Sequence, residues 1–262
     1  MTSGVTAAVA AAVLMGCYLV GVKRYFSQYP PTLYLALVHG LGLCWYLPAV
    51  ITTGPLTTLF PPLSLIEAVV VTGTVGLIAV ALAAFYHALA IGDVSYVAPI
   101  SKLVPVFVLP VEVLVLGQQL TAQQIVGVVI ATGAVYVANY HGGSFLRQFR
   151  TALTRRDALL ALISAAIFGI VDVGKRVSMQ ELAVSARAFV IITLALVPVA
   201  LAPLALQRRG AVDLRGEWVK LFAAGGILAV GQHLVSVAFV ALPASIVSPI
   251  VNMQAIVAVI PG

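Results

Sequence analysis

The chain has 262 residues, 62% of them hydrophobic and 8% charged, with a net charge of +6 and a mean hydropathy of +1.13. A soluble domain carries about 25% charged residues, so this composition excludes a water-clothed globule and points to a polytopic membrane protein. The basic surplus lies in short clusters between apolar runs, where it sets topology, and no nucleic-acid partner is expected.

A spanning helix needs about 20 mainly apolar residues. That rule predicts segments near 4–22, 32–52, 64–90, 94–116, 121–140, 158–175, 186–206, 217–241 and 244–262, eight full spans and one cut short. The first run has no basic leader and ends at Lys23-Arg24, so it reads as a helix and not as a signal peptide. Cys17 and Cys44 lie inside apolar runs at no metal-site spacing and read as small buried hydrophobes. Glu67 falls near the start of span three, where a helix N-terminus favours a carboxylate. Only residues 91–93 separate spans three and four, which predicts a tight antiparallel pair. Thr121 and Gln124 form a capping box opening span five. Its Gly127, Ala131, Ala134 and Ala138 make a small-residue stripe suited to close helix approach. The stretch 142–157 is a basic loop holding Arg147, Arg150, Arg155 and Arg156.

The segment Ala88–Thr121 is apolar enough to cross a bilayer, yet it contains Lys102, Glu112, Pro99, Pro105 and Pro110. A charge at the centre of a spanning helix costs roughly 2.5–3.5 kcal/mol on insertion scales, and proline frees backbone groups that lipid cannot satisfy. Such a segment reads as lining a polar pathway. It also has an echo: SYVAPI at 95–100 returns as SIVSPI at 245–250, and GVKRYFSQ at 21–28 returns as VGKRVSMQ at 173–180. The two matches have offsets of 150 and 152 residues. Five spans precede the second copy, and an odd number turns that copy upside down. The expected fold is therefore an all-α polytopic membrane protein built from two inverted five-helix repeats, with a site near the midplane between them. The first repeat covers 1–141 and the second 158–262. About nine transmembrane helices are present and the tenth is missing, so a ten-helix chain would continue for roughly 30–40 residues past Gly262.

The stretches ALAIGDVSYVAPISKLVPVF, LGQQLTAQQIVGVVIATGAVYV and ALPASIVSPIVNMQAIVAVI resemble the drug/metabolite transporter superfamily, specifically its ten-helix proteins with two EamA-type domains. The resemblance implies a secondary active exporter of a small organic solute such as an amino acid, metabolite or drug, working by exchange or proton coupling. Gln118 stands where that family usually has Glu, and Lys102 where an apolar or small residue is more common.

Lys102 lies about eight residues into span four, roughly 12 Å along the helix, too deep to snorkel easily. It reads either as a pathway residue or as an ion-pair partner of Asp172. Asp172 could equally pair with Lys175 three positions on. Glu112 is a candidate for proton coupling, with placement at the interface as the alternative. Asn252 aligns with Lys102, and Asn252 and Gln254 are pathway candidates of the second copy. Tyr18, Ser95, Tyr96 and His233 complete the candidate set, with Ser101 and Ser248 weaker because serine can bond its own helix. Tyr86 and His87 read as interfacial. There is no HExxH, GxSxG or P-loop, hence no enzyme and no ATP-driven pump, and no cofactor or metal is implied. The partners are a small-molecule substrate and the lipid bilayer of the cell membrane; a homodimer stays open. The alternative to transport is a structural or regulatory membrane protein, or an inactive fragment.

Connections 1–2, 5–6 and 7–8 hold most of the positive charge and lie on one side of an alternating topology, which favours an external N-terminus. Ser144→Cys, in a chain with Cys17 and Cys44 replaced by serine, is expected to resist an impermeant thiol reagent on intact cells; labelling there would reverse the orientation.

Overall fold

The computed structural model describes residues 2–55, 59–92, 97, 100–117, 122, 126, 129, 130, 133, 155–210 and 216–254. The elements are α1 (Thr2–Tyr25), α2 (Pro31–Ile51), α3 (Leu65–Ile91), α4 (Val104–Leu116), α5 (Arg156–Arg176), α6 (Ala186–Gln207), α7 (Trp218–Ala241) and α8 (Ala244–Asn252), and α5 runs on into a π-helical turn, Val177–Glu181. No strand occurs among the described residues. Among the described residues six helices are long and apolar enough to cross a membrane: α1, α2, α3, α5 with its π turn, α6 and α7. The protein is a polytopic membrane protein, as its composition requires. Where eight full spans were expected, span four is represented by the 13-residue α4 and span nine by the nine-residue α8. Most of span five, including its capping box and small-residue stripe, and most of the basic loop lie outside the described residues.

Local chemistry explains the helix ends. Ser64 and Glu67 make a reciprocal capping box, Ser64 N donating to Glu67 Oε2 at 2.7 Å and Glu67 N to Ser64 Oγ at 3.4 Å. Pro31 opens α2, where its missing N–H and fixed φ do no harm. Ser185 caps α6 by accepting from Ala188 N at 3.1 Å. Gly117 ends α4 in the left-handed region, φ 60°.

The packing follows the internal repeat. The two sequence matches pair α1 with α5, α2 with α6, α3 with α7 and α4 with α8. Under that correspondence the extensive α3–α5 contact becomes α7–α1, α2–α7 becomes α6–α3, and α4–α5 becomes α8–α1, while α2–α6 and α4–α8 map onto themselves; all of these contacts occur. The copies interleave. This overturns the expected α3–α4 pair: among the described residues α4 packs mainly on α5 and α8, and α3 on α5. A short connection constrains only where α4 starts, whereas its flank is chosen by the surface available on the other copy.

Apolar outer faces are open to lipid, as at Val9, Val13, Leu65, Ile66, Leu114 and Val219. Cys17 and Cys44 are exposed too, Cys17 on the cavity between α1, α2 and α7, which corrects the expectation that they are buried. A thiol is apolar enough for lipid contact, so hydropathy does not distinguish the two placements. Lipid also gives apolar side chains no reason to prefer one another, so close backbone approach matters. At the α2–α7 crossing a Cβ on Gly225 would come within 2.8 Å of Gly42 N, and Trp45 Nε1 donates to Phe222 O at 3.0 Å nearby. Gly225→Val should force these helices apart, at about 1–3 kcal/mol. The expected result is a lower thermal-unfolding midpoint of the solubilised protein, with Gly40→Val, whose Cβ meets nothing within 4 Å, as the neutral control.

Candidate functional site

Two helix interruptions organise the interior. Before α4, Lys102 and Leu103 form a turn, and Leu103 N bonds Ile100 O at 3.1 Å, three residues back. Pro105, at the first turn of α4, cannot donate and so cannot carry a regular helix through this point. In α8, Asn252 Nδ2 donates to Ser248 O at 2.8 Å, and Met253 N bonds Ile250 O at 3.1 Å. Leu103 and Met253 are equivalents in the repeat, so both copies break at the same place. Lys102 and Asn252, also equivalents, sit beside the breaks.

Both breaks border one cavity of about 180 Å³. Its polar lining comes from Tyr18 on α1, His39 on α2, Tyr86 on α3, Ser101 and Lys102 before α4, Asp172 and Lys175 on α5, Gln232 on α7, and Asn252 and Gln254 around the second break. Lys102, Asp172, Asn252, Gln254 and Tyr18 were legible as candidates and are brought together here. Asp172 does not pair with Lys102. Its Oδ1 lies 3.5 Å from Lys175 Nζ, and the Lys175 ammonium also stands 5.3 Å over the Phe239 ring. Among the described residues Lys102 has no carboxylate within 4.0 Å. Tyr18 and Tyr34 share a hydroxyl hydrogen bond of 2.8 Å. On the α1 C-terminal side Tyr18 also lines a second, apolar cavity of about 460 Å³, between α1, α2 and α7.

Other candidates fall elsewhere. His233 Nδ1 and Tyr46 Oη lie 2.7 Å apart, an α2–α7 tie that does not line the central cavity. Ser95 and Tyr96 lie outside the described residues. Tyr86 is a lining residue where an interfacial one was expected, and His87 is exposed. His39 was missed. It is 1% exposed, and the only signal was an imidazole interrupting the apolar run LALVHGLGL.

Glu112 is not at an interface and does not line the cavity. It is completely buried. Its Oε1 accepts from Arg176 Nη1 at 2.6 Å and from Ala244 N at 2.9 Å, and its Oε2 accepts from Ser245 N at 3.2 Å. The carboxylate thus caps the start of α8, where backbone N–H groups have no helical partner. Arg176 Nε donates to Gln180 Oε1 at 3.1 Å, and Gln180 Nε2 donates to the α7 terminal carbonyls Phe239 O and Leu242 O at 2.7 and 2.9 Å. This clamp joins α4, α5, α7 and α8 at one end of the bundle. Its partners Arg176 and Gln180 belong to the repeated K-R…Q pattern, the one sequence signal that pointed to it.

Residues 2–140 match the EamA-like transporter family. The chain belongs to that family. This EamA-like chain is accordingly a multi-pass membrane protein of a family that transports small solutes and is not an enzymatic one. A protein solved by crystallography shares the fold, with a TM-score of 0.76 and 16% identity over 99% of this chain and 85% of that chain. No curated protein matches the chain.

Removing the Glu112 carboxylate would take from Arg176 the oxygen it meets at 2.6 Å and from two α8 amides the acceptor they share. Truncating one partner of a buried pair costs about 3–5 kcal/mol. Glu112→Ala is therefore expected to lower the unfolding midpoint far more than Glu217→Ala, whose pair with Lys220 lies half-exposed at the start of α7.

Proposed function

We propose that this protein is a secondary active transporter that exports a small organic solute by alternating access, with the solute held in the cavity between the breaks at Leu103 and Met253. The observation that carries the reading is the pair of equivalent interruptions on one polar cavity. Non-helical backbone at membrane depth is tolerated only where protein or a water-lined cavity shelters it, and transporters with inverted repeats bind substrate at such places. The two copies, 1–141 and 158–262 joined through the basic 142–157 loop, supply the two interleaved sets of helices between which the cavity opens in turn to either side.

The ends of the bundle are unequal in a way that suits this cycle. The Glu112–Arg176–Gln180 clamp ties one end shut. At the other, the equivalents Arg24 and Gln28 are exposed, and the apolar cavity beside Tyr18 and Tyr34 shares Tyr18 with the central one. The conformation is read as closed on the clamp side. In the cycle Lys102 contacts the solute, Asn252 and Gln254 face it from the second copy, and Glu112 acts on gate closure.

Lys102→Ala is expected to abolish solute flux in proteoliposomes while leaving membrane expression and unfolding temperature near wild type. Undiminished flux in that variant would remove Lys102 from the pathway.

A further inference from the structure

We infer that the central cavity selects a small organic monoanion carrying a hydroxyl group, a hydroxycarboxylate, with Lys102 taking the carboxylate and His39 the hydroxyl. The inference rests on the transport reading only for the solute's movement, since the recognition chemistry stands on the cavity itself.

Charge comes first. The charged groups on the described lining are Lys102, Asp172 and Lys175. Asp172 and Lys175 pair with each other, which leaves one ammonium without a counterion among the described residues, in a space lined by polar and apolar side chains in equal number. A buried charge of this kind is expensive unless something of opposite sign joins it. A monoanion neutralises the site; a cation would add to the imbalance, and a zwitterion would leave it unchanged.

His39 supplies the second element. Its Nδ1 lies 2.8 Å from Leu35 O. A carbonyl only accepts, so the hydrogen bond assigns the ring proton to Nδ1. As the neutral imidazole this leaves Nε2 an acceptor. Nε2 is buried without a partner, and such an orphan costs free energy until a donor reaches it. Among the described residues, His39 alone combines an unpartnered buried polar atom with a place on this cavity. Nε2 itself is closed off from the cavity in this conformation, so on binding the lining shifts to let a ligand hydroxyl donate to Nε2 while the same ligand's carboxylate meets Lys102. Size agrees: a cavity of about 180 Å³ accommodates a small organic solute. A site built to bond a hydroxyl also rejects the analogue that lacks it, because its own polar group is then left unpaired.

Lactate, alanine and propanoate are three-carbon acids that differ at the second carbon by hydroxyl, ammonium or hydrogen. Each is to be titrated into the detergent-solubilised full chain while the thermal-unfolding midpoint is followed, and uptake of the labelled acids measured in proteoliposomes. Lactate is expected to stabilise the protein at concentrations at least tenfold below the other two. His39→Leu should erase that preference while keeping a weak response to propanoate. His39→Gln, whose carboxamide oxygen can accept, should keep part of it, and Lys102→Gln should weaken the response to all three. Equal responses to lactate and propanoate, a stronger response to alanine, no response to lactate, or a lactate preference that survives in His39→Leu would each overturn the inference. Lactate binding without flux of any solute would instead sink the transport reading and leave the recognition chemistry standing. Flux of neutral or cationic solutes without lactate binding would do the reverse.

Discussion

A helix that breaks inside a bilayer releases backbone groups that lipid cannot bond, and sheltering two such breaks is the constraint on which the rest of this structure depends. Leu103 and Met253 each lie in a turn whose backbone N–H bonds a carbonyl three residues back. Neither break could face hydrocarbon without an uncompensated cost of several kcal/mol for each orphaned group. The interleaving of the two copies meets this requirement. α4 and α8 touch each other, α5 flanks the first and α1 the second, so each interruption is walled by helices of both copies. Lys102 and Asn252, too polar for lipid, sit at these points because the shelter already exists there.

The shelter is held by contacts other than apolar burial. In water, burying valine against valine is favourable in itself; in lipid the alternative to a protein contact is an equally apolar acyl chain. The interior therefore relies on close backbone approach, as where Gly42 meets Gly225, and on hydrogen bonds whose alternative is an unsatisfied group. Ser164 Oγ donating to Ala81 O at 2.8 Å across α3 and α5 is one such bond. The Glu112 carboxylate is the strongest instance, a short charge-assisted contact to Arg176 combined with two backbone amides of α8.

That clamp also makes the two ends of the bundle differ. The K-R…Q pattern is present in both copies, yet Arg176 and Gln180 are bound into the clamp while Arg24 and Gln28 are exposed, with Arg24 lying 5.7 Å over the ring of Tyr25. The same residue types at the same repeat positions serve as a buried tie at one end and as a solvated terminus at the other. The difference comes from the partner: only Glu112 reaches across from α4. An internal repeat of sequence thus supplies two similar halves, and single residues outside the repeated motifs make them unequal.

Six of the spans, their order and the family were legible in the sequence, because lipid imposes length and apolarity segment by segment and hydropathy reads both directly. Lys102, Asp172, Asn252, Gln254 and Tyr18 were legible as pathway candidates for a related reason: a polar group in an apolar run has few tolerable places to go. What only the tertiary structure decided is which of those places each one occupies. Asp172 could have met Lys102 or Lys175, and the fold gave it Lys175. Glu112 looked like an interfacial or proton-carrying group, and the fold placed it against the first amides of a helix 132 residues away in sequence. His39 carried no motif, and its relevance follows from an unpartnered nitrogen on a cavity lined by helices of both copies. Hydropathy is a property of one segment, whereas a hydrogen-bond partner is a property of two. In a bundle whose copies interleave, that second segment lies far along the chain.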